Sequence, residues 1–208
     1  MQYLISILIG YLLGSIPTAF LVMKKKGIDI TIAGSGNVGA MNTYEVSNSK
    51  FTGLIVFVVD FSKGLLSVLI FKIIYPNEFI FPAIALLFAV LSHCFNPWIN
   101  FKGGRGLATA AGGTIILFPY LLLSWIIIWL ISYVYKKDIL LSNILATPLS
   151  LFLILGKPEL AFKYSFPQPN DVDSLILFSI TGLVIIFIKH IDPLKEIIQT
   201  YKTKGIKK

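Results

Sequence analysis

Charge is scarce in this chain. Aspartate, glutamate, lysine and arginine together make up 13% of its 208 residues, while 56% are apolar. A water-soluble domain carries about 25% charged residues to cover its surface. With a mean hydropathy of +0.82, the main solvent of this chain is lipid. Cysteine is nearly absent too: Cys94 stands alone, which excludes a disulfide within the chain and a cysteine metal cluster. No cofactor or metal is expected. No polar stretch is long enough for a separate soluble domain, so residues 1–208 read as one all-α, polytopic membrane unit.

Basic residues are also missing ahead of the first apolar run, "MQYLISILIGYLLGSIPTAFLVMKKK". A cleaved signal has the opposite polarity. The run therefore reads as a first span stopped by Lys24, Lys25 and Lys26. The net charge of +8 does not point to nucleic acid, because the positives sit at span ends instead of forming one basic face.

A bilayer core of about 30 Å takes about 20 apolar residues per helix. The runs that qualify are Tyr3–Met23, Phe51–Tyr75, Phe79–Trp98, Leu107–Tyr135, Ile139–Gly156 and Ser174–His190. Leu107–Tyr135 is long for one span and carries Pro119 near its middle. If it is two shorter helices turning near Pro119, then Lys24–Lys26, Lys50, Lys102, Arg105, Lys136 and Lys137 fall on one side. The tail lysines Lys189, Lys195, Lys202, Lys204, Lys207 and Lys208 join them. The positive-inside rule favours that arrangement: about seven helices, the N-terminus out and the C-terminus cytoplasmic. Within the first span, Gly10, Gly14 and Ser15 permit close helix packing, and Pro17 permits a kink.

Two glycine-rich stretches share the predicted cytoplasmic face. "AGSGNVGAMN" sets Gly34, Gly36 and Gly39 among Ser35, Asn37 and Asn42. Such a run suits backbone N–H groups converging on an anion, although the same residue types also make plain turns. "FKGGRGLAT" sets Gly103, Gly104 and Gly106 beside Lys102 and Arg105, with Thr109 following. Lysine and arginine bind oxyanions, and the helix expected to start there points its dipole at the same spot. Topology anchoring explains the two charges but not three glycines. The spacing is not that of a Walker loop, and no strand precedes it.

Ionisable residues inside apolar runs form a third group: Asp60, Lys63 and His93. Charge within a membrane is costly and marks function or pairing. Asp60 and Lys63, three apart, share a helix face and suit either reading. His190 lies at the inner end of the last span.

Taken in order, "GSIPTAFL", "GSGNVGAMN", "DFSKG", "SHCFNPWINFKGGRGLAT" and "IKHIDP" resemble the bacterial acyl-phosphate:glycerol-3-phosphate acyltransferases, the PlsY family. The resemblance spans nearly the whole chain. It implies a seven-helix protein of the bacterial cell membrane with a cytoplasmic active site. It also implies transfer of an acyl chain from acyl phosphate to the 1-hydroxyl of glycerol 3-phosphate, giving lysophosphatidic acid for phospholipid synthesis. On that footing Ser35, Asn37 and His190 are the catalytic candidates. Gly34, Gly36, Gly39, Asn42, Lys102, Gly103, Gly104, Arg105, Gly106, Thr109, Asp60 and Lys63 are the candidates for binding substrate. The chain departs from the family pattern at Thr31 and Glu45, where arginine is usual. It departs also at Met41, at Asn96-Pro97, at Arg105 in place of lysine, at Pro193 in place of asparagine and at Glu196 in place of arginine. The fourth cytoplasmic motif is poorly matched, with Lys137 standing near its arginine. The His-x-x-x-x-Asp element of acyl-CoA-dependent acyltransferases is absent, since Trp98 and Lys195 follow His93 and His190 at that spacing. Two other readings remain open here: a diverged paralogue with another donor or acceptor, and a non-catalytic carrier or binder of a phosphorylated metabolite.

Overall fold

The computed structural model describes residues 1–205; Lys207 and Lys208 of the basic tail lie outside the described residues. The described chain is helical throughout, with no strand: α1 (Gln2–Gly14), α2 (Thr18–Lys24), α3 (Ala40–Ser47), α4 (Lys50–Ile74), α5 (Ile80–Cys94), α6 (Leu107–Leu117), α7 (Pro119–Lys136), α8 (Ile139–Gly156), α9 (Pro158–Lys163), α10 (Val172–Ile188) and α11 (Ile191–Gly205). Five segments are long and apolar enough to cross a membrane: Gln2–Lys24, Lys50–Ile74, Ile80–Ile99, Pro119–Lys136 and Ile139–Gly156. The bent pair α10–α11, with 50° between its parts, supplies a sixth.

The long run after Arg105 does divide, at Phe118 and Pro119. Proline lacks an N–H and clashes with the turn before it, so α6 stops and α7 starts on the proline. At 11 residues, α6 is about 16 Å long, half the hydrocarbon thickness. It is shielded by its neighbours, α4 above all. A β-carbon on Gly64 of α4 would run into the Thr109 carbonyl, and one on Gly112 of α6 into the Phe61 carbonyl. The two backbones touch. Gly112→Leu should therefore destabilise the protein by about 1–3 kcal/mol, the usual range for overpacking. Denaturation in mixed micelles measures this; a variant as stable as its parent would mean that α4 and α6 separate freely.

The first span breaks where its proline predicts, between α1 and α2. The break takes the carbonyls of Ser15 and Ile16 out of the helix ladder; Ile16 keeps one backbone bond, from the Thr18 N–H at 3.0 Å, and lipid supplies no further donor. Side chains from elsewhere take them: Asn96 Nδ2 donates to the Ser15 carbonyl at 2.7 Å and Lys63 Nζ to the Ile16 carbonyl at 2.6 Å. Trp98 Nε1 donates to Ser15 Oγ at 3.1 Å. Above the break, Gly10 and Gly14 press on the backbone of Ala85 and Ala89 in α5, where a β-carbon would overlap their carbonyls. This is small-residue packing of the kind read from the sequence.

Candidate active site

The two glycine stretches meet. The Val38 N–H donates to the Gly103 carbonyl at 3.2 Å, and the Gly104 N–H donates to the His93 carbonyl at 3.1 Å. A β-carbon on Gly104 would overlap the His93 ring, so only glycine lets the second loop lie on α5. Gly106 sits at φ +82°, a left-handed conformation that favours glycine, directly before α6.

The first loop is organised by Asn42, which is 1% exposed. Its Nδ2 donates to the carbonyls of Ala33 (3.0 Å) and Asn37 (2.9 Å), and its Oδ1 accepts from the Ser35 N–H at 3.0 Å. Asn42 therefore holds the loop in shape. It stands in the first turns of α3, a helix within the stretch that the glycine and asparagine content marks as loop. The simple nest of free N–H groups needs revision as well. Those of Ser35, Gly36, Val38, Gly39 and Gly104 are all bonded within the protein. The N–H groups of the first turn of α6 remain, since no helix satisfies these from within. Ser35 is exposed, while Asn37, Gly36 and Arg105 are half-buried and Lys102 is exposed on the second loop.

Asp60 and Lys63 are 2% and 3% exposed and pair at 2.5 Å. His93 Nδ1 lies 3.8 Å from Asp60, so the three intramembrane ionisable residues form one network beneath Gly104. Lys63 reaches both Asp60 and the broken first span. These contacts tie α1, α4 and α5 to the second glycine loop.

His190, 1% exposed, sits in the bend between α10 and α11. Its Nδ1 is 2.8 Å from the Ile186 carbonyl. A carbonyl only accepts, so Nδ1 carries the proton, and in the neutral ring Nε2 is the acceptor. Nε2 is buried and, among the described residues, has no partner; Thr109 Oγ1 shares that condition. Buried polar atoms are nearly always paired, so such orphans call for an explanation. Arg105 lies close enough for its charge to act on His190. Burial lowers the pKa of the Arg105 guanidinium, while Glu196 and Glu45 raise it by favouring the charged form. Both glutamates are among the departures named from the sequence. The sequence marked both departures without showing that Arg105 lies near them.

Beside the loops is an apolar cavity of about 360 Å³ between α5, α6, α7, α8 and α10, with Phe57 of α4 at its edge. Leu107, Val90 and Ile186 line it, and the last two also lie against the β-carbon position of Gly106. The cavity thus starts where the second glycine loop ends. The sequence held no signal for it, since its walls are ordinary apolar residues. Among the described residues, no group of three or more histidine, cysteine, aspartate or glutamate side chains is placed to hold a metal ion.

Comparison with known proteins bears on the fold and the family. The glycerol-3-phosphate acyltransferase family model matches residues 4–200. Curated glycerol-3-phosphate acyltransferases are similar over most of their length. That of Pelagibacter ubique is 36% identical, covering 98% of each chain, and that of Aquifex aeolicus is 34% identical, covering 90% of this chain and 91% of its own. Crystal structures of PlsY (YgiH), an integral membrane glycerol 3-phosphate acyltransferase, superpose at 27% identity. The glycerol 3-phosphate form gives a TM-score of 0.79, covering 96% of this chain and 94% of that one; the lysophosphatidic acid form gives 0.77. With its paired glycine loops and a fold shared almost end to end, the chain belongs to the glycerol-3-phosphate acyltransferase family.

Proposed function

We propose that the protein transfers an acyl chain from acyl phosphate to the 1-hydroxyl of glycerol 3-phosphate, giving lysophosphatidic acid. The observation that carries this is the Val38–Gly103 hydrogen bond. It joins the two glycine loops into one polar site at the mouth of an apolar cavity, which suits one fully polar substrate and one with a greasy tail. The relatives named glycerol-3-phosphate acyltransferase, and the PlsY structures in glycerol 3-phosphate and lysophosphatidic acid forms, support the same substrate and product. The clustering of lysine and arginine at one set of span ends supports a site on the cytoplasmic face of a bacterial membrane.

In this mechanism Lys102 and Arg105 hold the phosphates, together with the first N–H groups of α6. Ser35 and Asn37, on the rim of the first loop, orient the reacting groups. The C1 hydroxyl oxygen attacks the acyl carbonyl carbon, and His190 Nε2 takes the hydroxyl proton. The tetrahedral oxyanion then collapses, the bond between carbonyl carbon and phosphate oxygen breaks, and inorganic phosphate leaves with the proton. Acyl phosphate is a mixed anhydride with a good leaving group, so positioning and charge stabilisation provide most of the catalysis. Asp60, Lys63 and Asn42 support the site from beneath.

Purified protein in lipid bilayers, given labelled glycerol 3-phosphate with palmitoyl phosphate, should form labelled lysophosphatidic acid and release inorganic phosphate in equal amounts. Palmitoyl-CoA should not replace the acyl phosphate. Glycerol 3-phosphate binding without product would support the carrier reading instead.

A further inference from the structure

Most helix-interior glycines in this protein have a packing reason. Gly10, Gly14, Gly64 and Gly112 each lie where a β-carbon would collide with the backbone of a neighbouring helix. Gly182, in the middle of α10, does not. A β-carbon there meets only Leu87 Cδ2, at 3.4 Å, which is ordinary van der Waals contact. Its backbone is helical, and glycine inside a helix is less favourable than alanine. Neither close approach nor backbone conformation accounts for this glycine. What it does is leave space, because it lines the apolar cavity.

The helices give the cavity a direction. Leu107 and Ile186 mark the end beside the glycine loops. Leu121 and Phe178 mark the other end, near the turn at Phe118 where α6 passes into α7. Gly182 stands one helical turn from Ile186 and one from Phe178, so it lies midway along the path, about 6 Å from each. A side chain at this position would divide the cavity into a near half and a far half.

Resting on the acyl-transfer reading above, we propose that Gly182 selects donor chain length: its missing side chain admits the distal part of a long acyl chain, and Leu121 and Phe178 end the path. The occupant is the donor's own hydrocarbon tail. Continuity of the cavity with the Gly106 loop, and a lining that is almost wholly apolar, single it out.

The test compares palmitoyl and decanoyl phosphates as donors for protein in lipid nanodiscs. Gly182→Leu should lower the ratio of kcat/KM for palmitoyl over decanoyl phosphate by about tenfold or more, since several methylenes lose their burial. The KM for glycerol 3-phosphate should not move. Gly182→Ala, which fits beside Leu87, should shift the ratio in the same direction by less, and it answers the question if the leucine variant fails to fold. Leu121→Ala, which deepens the far end, should shift preference towards stearoyl phosphate. An unchanged ratio in Gly182→Leu, or equal losses with both donors, overturns the proposal. If the unmodified protein makes no lysophosphatidic acid with any donor, the acyl-transfer reading falls separately. Equilibrium binding of radiolabelled palmitoyl and decanoyl phosphates then decides the role of Gly182. A ratio lowered by Gly182→Leu upholds it, and an unchanged ratio, or no binding of either, overturns it.

Discussion

Replacing His190 by glutamine should lower kcat by about 10²- to 10⁴-fold, the range for a positioned general base, with the fold retained. The Ile186 carbonyl fixes the proton on Nδ1 and turns the lone pair of Nε2 away from that bond, where no group among the described residues meets it. A purely structural histidine buried to 1% exposure would be expected to use both nitrogens, since an unmet buried polar atom costs about 1–3 kcal/mol. The free nitrogen fits a proton taken from a substrate hydroxyl. Because the active form is the one with Nε2 unprotonated, kcat/KM should fall on the acid side of the pH profile. The glutamine variant should lose that limb. A kcat within about threefold of the parent, or an unaltered acid limb, would assign His190 to packing.

Asp60→Ala should cost about 3–5 kcal/mol of stability, because it leaves the Lys63 ammonium buried without its carboxylate. The network in question also reaches the Ile16 carbonyl and His93, so the loss should spread to the broken first span. The double variant Asp60→Leu with Lys63→Met should recover much of the stability, since apolar replacement of a buried pair is often close to neutral. Unfolding of the three proteins in mixed micelles measures this. If both variants hold the parental KM for glycerol 3-phosphate, the pair supports the site without touching substrate. A single variant as stable as the parent would mean that water reaches Lys63.

Much of the fold was legible because lipid imposes simple rules. Ile139–Gly156 falls on the residues that its apolar run marks, and Pro119 marks the break between α6 and α7. The short helix α3 was not, since glycine, asparagine and threonine around Gly39 read as loop. Nor was α11, whose polar composition hides an amphipathic helix beyond His190. The sequence paired Asp60 with Lys63 by their spacing of three. That Lys63 also caps a carbonyl in another helix depends on tertiary packing, which spacing does not encode. The same holds for Asn42. Its residue type suits either a ligand or a loop brace, and only the positions of Ala33, Ser35 and Asn37 around it show the brace. The loops themselves were found by composition, but their pairing through Val38 and Gly103 was not.

Whether these two loops make one phosphate site is decided by the kinetics of Lys102→Ala and Arg105→Ala. In the proposed mechanism Lys102 and Arg105 hold the phosphates, with Glu45 and Glu196 close enough to act on the Arg105 charge. On that proposal each substitution removes charge-assisted hydrogen bonds to substrate worth about 1.5–3 kcal/mol. The KM for glycerol 3-phosphate, measured at saturating palmitoyl phosphate, should therefore rise by about ten- to a hundredfold. Parental KM values for both substrates in both variants would contradict the account and leave the pair as a topology anchor.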